Sequence, residues 1–198
     1  MILPGNGCED ILGSNWYADL KEKIEQLFKN WEGGYIALNK VICLDMPDPY
    51  VARESVWIPF VEKHLEPHRN LDQEHSALVL IGHSSGAECA MRYIEKHKIH
   101  ACLLVSACWS DMGDLNERKS GYYNRPWDWE TMRKNCPDII QFGSEDDYLV
   151  DFESEQRVVF DSLKSKAYIF QDKGHFLTEL VDPAIVNSIA KDILGMEK

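Results

Sequence analysis

The apolar run Ala77-Leu78-Val79-Leu80-Ile81 ends in Gly82-His83-Ser84-Ser85-Gly86, and residues with helical spacing follow directly from Ala87. A buried strand that turns sharply into a helix around Gly-x-Ser-x-Gly constrains the chain more than any other stretch. It predicts a nucleophile elbow, in which Ser84 stands exposed at the strand end with a helix N-terminus beside it. The glycines have a physical reason, because a strained turn with close strand-helix approach has no room for Cβ atoms around the serine. The pentapeptide alone arises by chance in about one in ten to twenty chains of this length. Requiring the strand before it and the helix after it removes most of those matches.

The remainder of the chain alternates in the same rhythm. Ile2-Leu3 reads as the end of a very short strand entering the turn Pro4-Gly5-Asn6-Gly7-Cys8. Trp16, Leu20, Ile24, Leu27, Phe28 and Trp31 recur at helical spacing up to Gly33-Gly34. A strand is predicted over Tyr35 to Leu44, closed by the turn Met46-Pro47-Asp48-Pro49, then a helix over Val51 to His64, irregular at Pro59. The charged run Glu62 to Glu74 is expected to be a solvated connection. After the elbow come strands at Ala101 to Ser106, Ile139 to Phe142 and Ala167 to Phe170. Helices are expected at Trp127 to Asn135 and Phe152 to Leu163, and a closing helix starts at Asp182-Pro183 and stops at Gly195. Only Ala107 to Pro126 leaves the pattern, as a long polar and aromatic excursion, and such connections are usually functional. Alternating strands and helices predict an α/β three-layer sandwich, a mostly parallel sheet with helices on both faces. A chain of 198 residues has room for one such domain, spanning 1–198.

Composition narrows the partners. A formal net charge of −12 argues against nucleic-acid or anionic-membrane binding, since a phosphate surface needs clustered Lys and Arg. The six cysteines form no Cys-x-x-Cys pair and have no histidine at zinc spacing, so no metal is expected and the thiols read as reduced, buried and structural. No basic leader and no apolar stretch of the ~20 residues needed to span a bilayer is seen, so the expectation is a cytoplasmic monomer acting on a small molecule or short peptide. Gly5-x-Gly7 invites a nicotinamide reading, but Asp10 stands at the third glycine position, where a carboxylate would face a pyrophosphate. No cofactor is expected. The loop's alternative use is to supply half of an oxyanion hole from the Asn6 backbone N–H, with the Ser85 N–H as the other half.

Two further post-strand loops carry suitable chemistry, Gly143-Ser144-Glu145-Asp146-Asp147 and Lys173-Gly174-His175-Phe176. Functional residues gather at the carboxyl ends of strands in such a sheet. Ser84, an acid and His175 then follow the chain order of α/β-hydrolases. His64, His68, His75, His97 and His100 lie in charged or helix-end contexts, and His83 sits inside the elbow with Ser84 turned away from it. Asp146 and Asp147 are adjacent, only one can face the imidazole, and composition does not choose between them. Tyr122, Tyr123, Trp127 and Trp129 either pack the excursion onto the sheet or wall an apolar acyl pocket.

Taken together, Pro4-Gly5-Asn6-Gly7, Met46-Pro47-Asp48-Pro49, Ala52-Arg53-Glu54-Ser55 with Trp57, Gly82-His83-Ser84-Ser85-Gly86, Asn116-Glu117-Arg118 through Arg125-Pro126-Trp127, Gln141-Phe142-Gly143-Ser144 with Asp146-Asp147, and Gly174-His175-Phe176 resemble the retinoblastoma-binding protein 9 family of small serine hydrolases. The resemblance covers nearly the whole chain. It implies a compact α/β-hydrolase without a large lid, a triad of Ser84, Asp147 and His175, and hydrolysis of amides or esters of small hydrophobic substrates in an aminopeptidase-like way. The family's Leu-x-Cys-x-Glu motif for the retinoblastoma protein is missing, since the corresponding segment reads Leu65-Glu66-Pro67-His68-Arg69, so binding to that partner is not expected. The competing reading is a catalytically weak member of the fold that acts as a protein-interaction module.

Overall fold

The computed structural model describes residues 1–29, 38, 40–69 and 77–196. Five strands, β1 (Ile2–Leu3), β2 (Val79–His83), β3 (Ala101–Val105), β4 (Asp138–Ser144) and β5 (Lys166–Phe170), lie side by side in chain order. Every pair is parallel. Ile2 also makes a single parallel bridge to Cys43 on its other side. The strand predicted over Tyr35 to Leu44 is therefore reduced, among described residues, to that bridge, while residues 30–37 and 39 lie outside them. The chain leaves β1 toward Cys43 and returns on the opposite side as β2, so the sheet reverses its winding between β1 and β2. Crevices at such reversals, outside the carboxyl ends of the strands, are where open α/β sheets bind ligands.

Period-two alternation puts the strands' apolar side chains into two cores. Leu80, Cys102, Leu104 and Ile139 face one side, where they pack with α2 (Glu54–Arg69), α3 (Ser85–Ile94), α5 (Trp129–Asn135) and α6 (Arg157–Leu163). Ile81, Leu103, Val105, Ile140 and Phe142 face the other side, against α1 (Tyr17–Lys29) and α7 (Pro183–Ser188), which continues as a wider π turn to Ile193. Both faces are covered, as the run of buried residues through β3 requires. All six cysteines are buried and free.

The expected elements recur with shifted ends. The helix predicted over Val51 to His64 runs from Glu54 to Arg69 and contains both Pro59 and Pro67. Residues 62–69 thus belong to a helix and not to a solvated connection, because Val61 and Leu65 are fully buried and their packing outweighs the backbone bond lost at Pro67. The remainder of that run lies outside the described residues, as do Trp31 and the Gly33-Gly34 stop. Phe152 to Leu163 begins as a π turn (Phe152–Gln156) before becoming α6. The excursion after β3 is not structureless: it contains α4 (Leu115–Ser120), capped by Asp114, whose carboxylate accepts from the Asn116 and Glu117 N–H groups. The closing helix starts as expected, with the Asp182 carboxylate accepting from the Ala184 N–H at 2.8 Å and Pro183 in the first turn.

Candidate active site

In β2 and β3 the register sets His83 level with Val105, and Phe142 of β4 stands level with Val105. The loops that leave these strand ends open on the same edge of the sheet. Ser84 follows His83 with φ 53° and ψ −126°, a conformation costing of the order of 1–3 kcal/mol that persists only where its surroundings enforce it. The enforcement is visible in the two glycines of the pentapeptide. A Cβ on Gly82 would strike the Gly86 carbonyl, and a Cβ on Gly86 would strike the carbonyl of Leu3. Helix α3 therefore starts almost in contact with β1, with the Ser85 N–H in its unpaired first turn. The Ser84 N–H donates to Val105 O at 2.9 Å, which ties the elbow to β3.

The loop after β1 passes directly over Ser84. A Cβ on Gly5 would lie 3.2 Å from Ser84 Cβ and 3.7 Å from Ser84 Oγ. The Gly5 N–H donates to the Tyr17 hydroxyl at 3.0 Å and the Gly7 N–H to Pro49 O at 2.8 Å. No hydrogen bond among the described residues uses the Asn6 N–H between them. The Asn6 side chain is anchored instead, its Nδ2 donating to Glu117 Oε1 of α4 at 2.8 Å.

Among described residues, His175 and Asp147 are brought together 28 positions apart in sequence. His175 Nδ1 lies 2.9 Å from Asp147 Oδ2 and 3.1 Å from Oδ1, with the two residues 4% and 6% exposed. Asp147 Oδ1 also accepts from the Leu149 and Val150 N–H groups, each at 3.0 Å, and Oδ2 accepts from Gln156 Nε2 at 2.9 Å. Burial pushes this carboxyl up, but the His175 ring and these backbone donors more than offset it and hold it below the ordinary carboxylate value. Asp146 does a different job. Its Oδ1 accepts from the Ser144 hydroxyl at 2.6 Å and from the Gly174 N–H at 2.8 Å, so it joins the acid loop to the histidine loop without reaching the imidazole. With Nδ1 engaged by Asp147, the His175 ring has Nε2 left for a proton partner. No hydrogen bond joins Ser84 Oγ to His175 here, and such contacts commonly tighten only when substrate is bound.

Several residues of this site are invisible to spacing arguments. Gln156 reads as one more position of a helix, yet it is 1% exposed and its amide also donates to Val150 O at 2.8 Å. Arg92 lies on α3 with its guanidinium fully buried, and it donates to the Tyr122, Arg125 and Pro126 carbonyls and stacks 3.6 Å over Trp127, pinning the excursion. Glu88, one turn behind Ser84, accepts from the Cys108 N–H at 2.9 Å, and burial pushes its carboxyl well up. A charged or amide side chain on an otherwise apolar helix face was the available signal for all three. Of the four aromatics, Tyr122 is fully buried in the core. Tyr123, Trp127 and Trp129 join Trp109 in lining a groove of about 600 Å³. Among the described residues no cluster of His, Cys, Asp or Glu suits a metal ion, and no helix is long and apolar enough to cross a membrane.

A parallel sheet wrapped on both faces, with a strained serine at the strand-helix turn and a buried His-Asp pair beside it, defines an α/β-hydrolase. The family follows from relatives: the chain belongs to the serine hydrolase family, which it matches over residues 28–180. It is 47% identical over 176 residues to Serine hydrolase RBBP9 of Rattus norvegicus, across 89% of this chain and 86% of that protein. The expected resemblance to the retinoblastoma-binding protein 9 family is thereby borne out. In fold it is similar to the ydeN gene product of B. subtilis, with a TM-score of 0.73, 18% identity and coverage of 98% and 97% of the two chains. Est1E from Butyrivibrio proteoclasticus is also similar, with a TM-score of 0.64, 13% identity and coverage of 98% and 86%.

Proposed function

We propose that this serine hydrolase cleaves amide or ester bonds of small hydrophobic substrates, aminoacyl compounds among them, through an acyl-enzyme on Ser84. His175 Nε2 takes the Ser84 Oγ proton as Oγ attacks the substrate carbonyl. The developing oxyanion is received by the Asn6 and Ser85 N–H groups, each such donor being worth roughly 10²–10³ in rate. The imidazolium then protonates the departing amine or alcohol, and water repeats the sequence on the acyl-enzyme. Asp147 holds the imidazole with Nδ1–H toward its carboxylate and stabilises the imidazolium. The observation that carries this reading is the buried contact of His175 Nδ1 with Asp147 at 2.9 Å, with the His175 backbone oxygen 2.9 Å from the ring of His83, the neighbour of a serine in a strained elbow. The aromatic groove supports the hydrophobic preference, since it opens in the excursion that leaves β3 at the same end of the sheet. The same reading expects no retinoblastoma-protein binding through residues 65–69, because Leu65 is fully buried inside α2.

Labelling with a fluorophosphonate probe tests the mechanism. Wild type is expected to be modified at Ser84 and Ser84→Ala to be inert. Equal labelling of the two proteins, or none of wild type, overturns it.

A further inference from the structure

Around the elbow runs a chain of buried hydrogen bonds that none of the steps above uses. Gly5 N–H donates to Tyr17 Oη at 3.0 Å, Tyr17 Oη meets His83 Nδ1 at 2.7 Å, and His83 Nε2 meets the backbone oxygen of His175 at 2.9 Å. Tyr17 is fully buried and His83 is 1% exposed. The direction of every bond is determined by its ends. A backbone oxygen only accepts, so His83 Nε2 carries the proton. Burial pushes the His83 pKa down to about 3, so the ring is neutral and Nδ1 is a bare acceptor. The Tyr17 hydroxyl therefore donates to it, and burial pushes that phenol up to about 12, which keeps its proton in place. Its oxygen is then free to accept from Gly5.

This chain touches three parts of the site. Gly5 adjoins Asn6, His83 adjoins Ser84, and the accepting oxygen belongs to His175 itself. That oxygen is turned inward by a kinked loop, with φ 53° at Gly174 and φ 54° at Phe176, and the Trp16 indole N–H donates to Phe176 O at 2.9 Å next to it. The Asp19 carboxylate takes the Val181 N–H at 2.8 Å a few residues on. The start of α1 thus grips the oxyanion loop and the histidine loop at once, with His83 as the link through the elbow.

We infer that Tyr17 and His83 are positioning residues, which set the Asn6 N–H and the His175 ring at their working distance from Ser84 by one shared hydrogen-bond chain. This rests on the Ser84–His175 mechanism above. Tyr17→Phe keeps the ring in its packing but removes its two bonds of the chain, to Gly5 and His83, together with the 3.3 Å bond from Asn15 Nδ2. His83→Leu removes the bonds to Tyr17 and to the His175 oxygen from the middle of the chain, whereas His83→Gln can remake both, since its amide carries an acceptor and a donor on one carbon as Nδ1 and Nε2 do on Cε1.

The measurement is kcat and KM normalised to fluorophosphonate-titrated sites, so that misfolded protein does not count. Tyr17→Phe and His83→Leu are expected to lose roughly 10- to 100-fold in kcat per titrated site with KM within about twofold, as for a misplacement of about 1 Å. His83→Gln is expected to stay within about threefold of wild type. If Tyr17→Phe keeps wild-type kcat per site, or His83→Gln falls as far as His83→Leu, the inference is overturned. A wild type that the probe never labels overturns the mechanism itself, a result distinguishable from both.

Discussion

Gln156 Nε2 donates to Asp147 Oδ2, the same oxygen that lies 2.9 Å from His175 Nδ1. A neutral amide at the back of the carboxylate thus orients it toward the histidine while adding no charge of its own. The close fit around Gln156 explains why Gly143 lies opposite it on β4, since a Cβ there would collide with Gln156 Oε1.

Replacing Asp147 with Asn should leave the packing intact but favour the wrong imidazole tautomer. The expected fall in kcat/KM is about 10³–10⁴. Asp146→Asn keeps the imidazole's partner, so its loss should stay within about tenfold. Kinetics on purified variants separate the two, and comparable losses would contradict the assignment.

Gln156→Leu removes a hydrogen bond to a charged group, an interaction worth about 1.5–3 kcal/mol, part of which orients the carboxylate. A fall in kcat/KM of roughly tenfold is expected. Gln156→Glu should fall further, since a second carboxyl against Asp147 raises the pKa of both. Activity titration of the two variants checks the order.

Stability should decline with acid through His83 well before the carboxylates titrate. The ring stays neutral in the folded protein to about pH 3, whereas in the unfolded chain it protonates near its ordinary value of about 6.5. Between these values the unfolded state binds more protons. The contribution is complete above pH 6.5 and is lost as pH falls, at up to about 1.4 kcal/mol per unit. Asp147, held below its ordinary value, adds a second loss that begins below about pH 4. Urea unfolding from pH 7 to 4.5 should show the steeper slope in wild type and a flatter one in His83→Gln.

Gly86→Ala places a methyl against the Leu3 carbonyl, and backbone on both sides gives it nowhere to move. Destabilisation at or beyond the top of the ~1–3 kcal/mol range for overpacking is expected, together with loss of labelling at Ser84. A variant with wild-type Tm would show that β1 and α3 can separate.

Alanine at Tyr123 or Trp129 opens the aromatic groove without removing Ser84, Asp147 or His175. Relative kcat/KM between bulky and acetyl acyl groups should change by at least about threefold, of the order one or two buried methylenes contribute. Unchanged ratios across an acyl series would remove the groove from substrate binding.

What could be read from the chain in advance was local or periodic. The elbow was legible because strand, glycine spacing and helix occur within eighteen residues, and the sheet because buried parallel strands are continuous apolar runs. The order of Ser84, an acid and His175 followed from which strand each loop leaves. Helix α2 runs beyond its expected end because burial of Leu65, a tertiary property, overrides a charged and proline-containing stretch. The choice between Asp146 and Asp147 was beyond composition, since adjacent identical side chains differ only in direction. The packing of the two loops aims one at His175 Nδ1 and the other at the Gly174 N–H. Tyr17, His83 and Gln156 were hidden for the same reason: the bonds that tie them to the site, Tyr17 to Gly5 and His83, His83 to His175 and Gln156 to Asp147, span 9 to 92 residues of sequence, and only the folded sheet brings those groups within hydrogen-bond reach. Sequence alone determined the class of fold and the position of the strand-helix turn at Ser84, because both depend on short-range pattern; tertiary structure decided which acid meets the histidine and what holds them there, because both depend on the direction of buried polar groups.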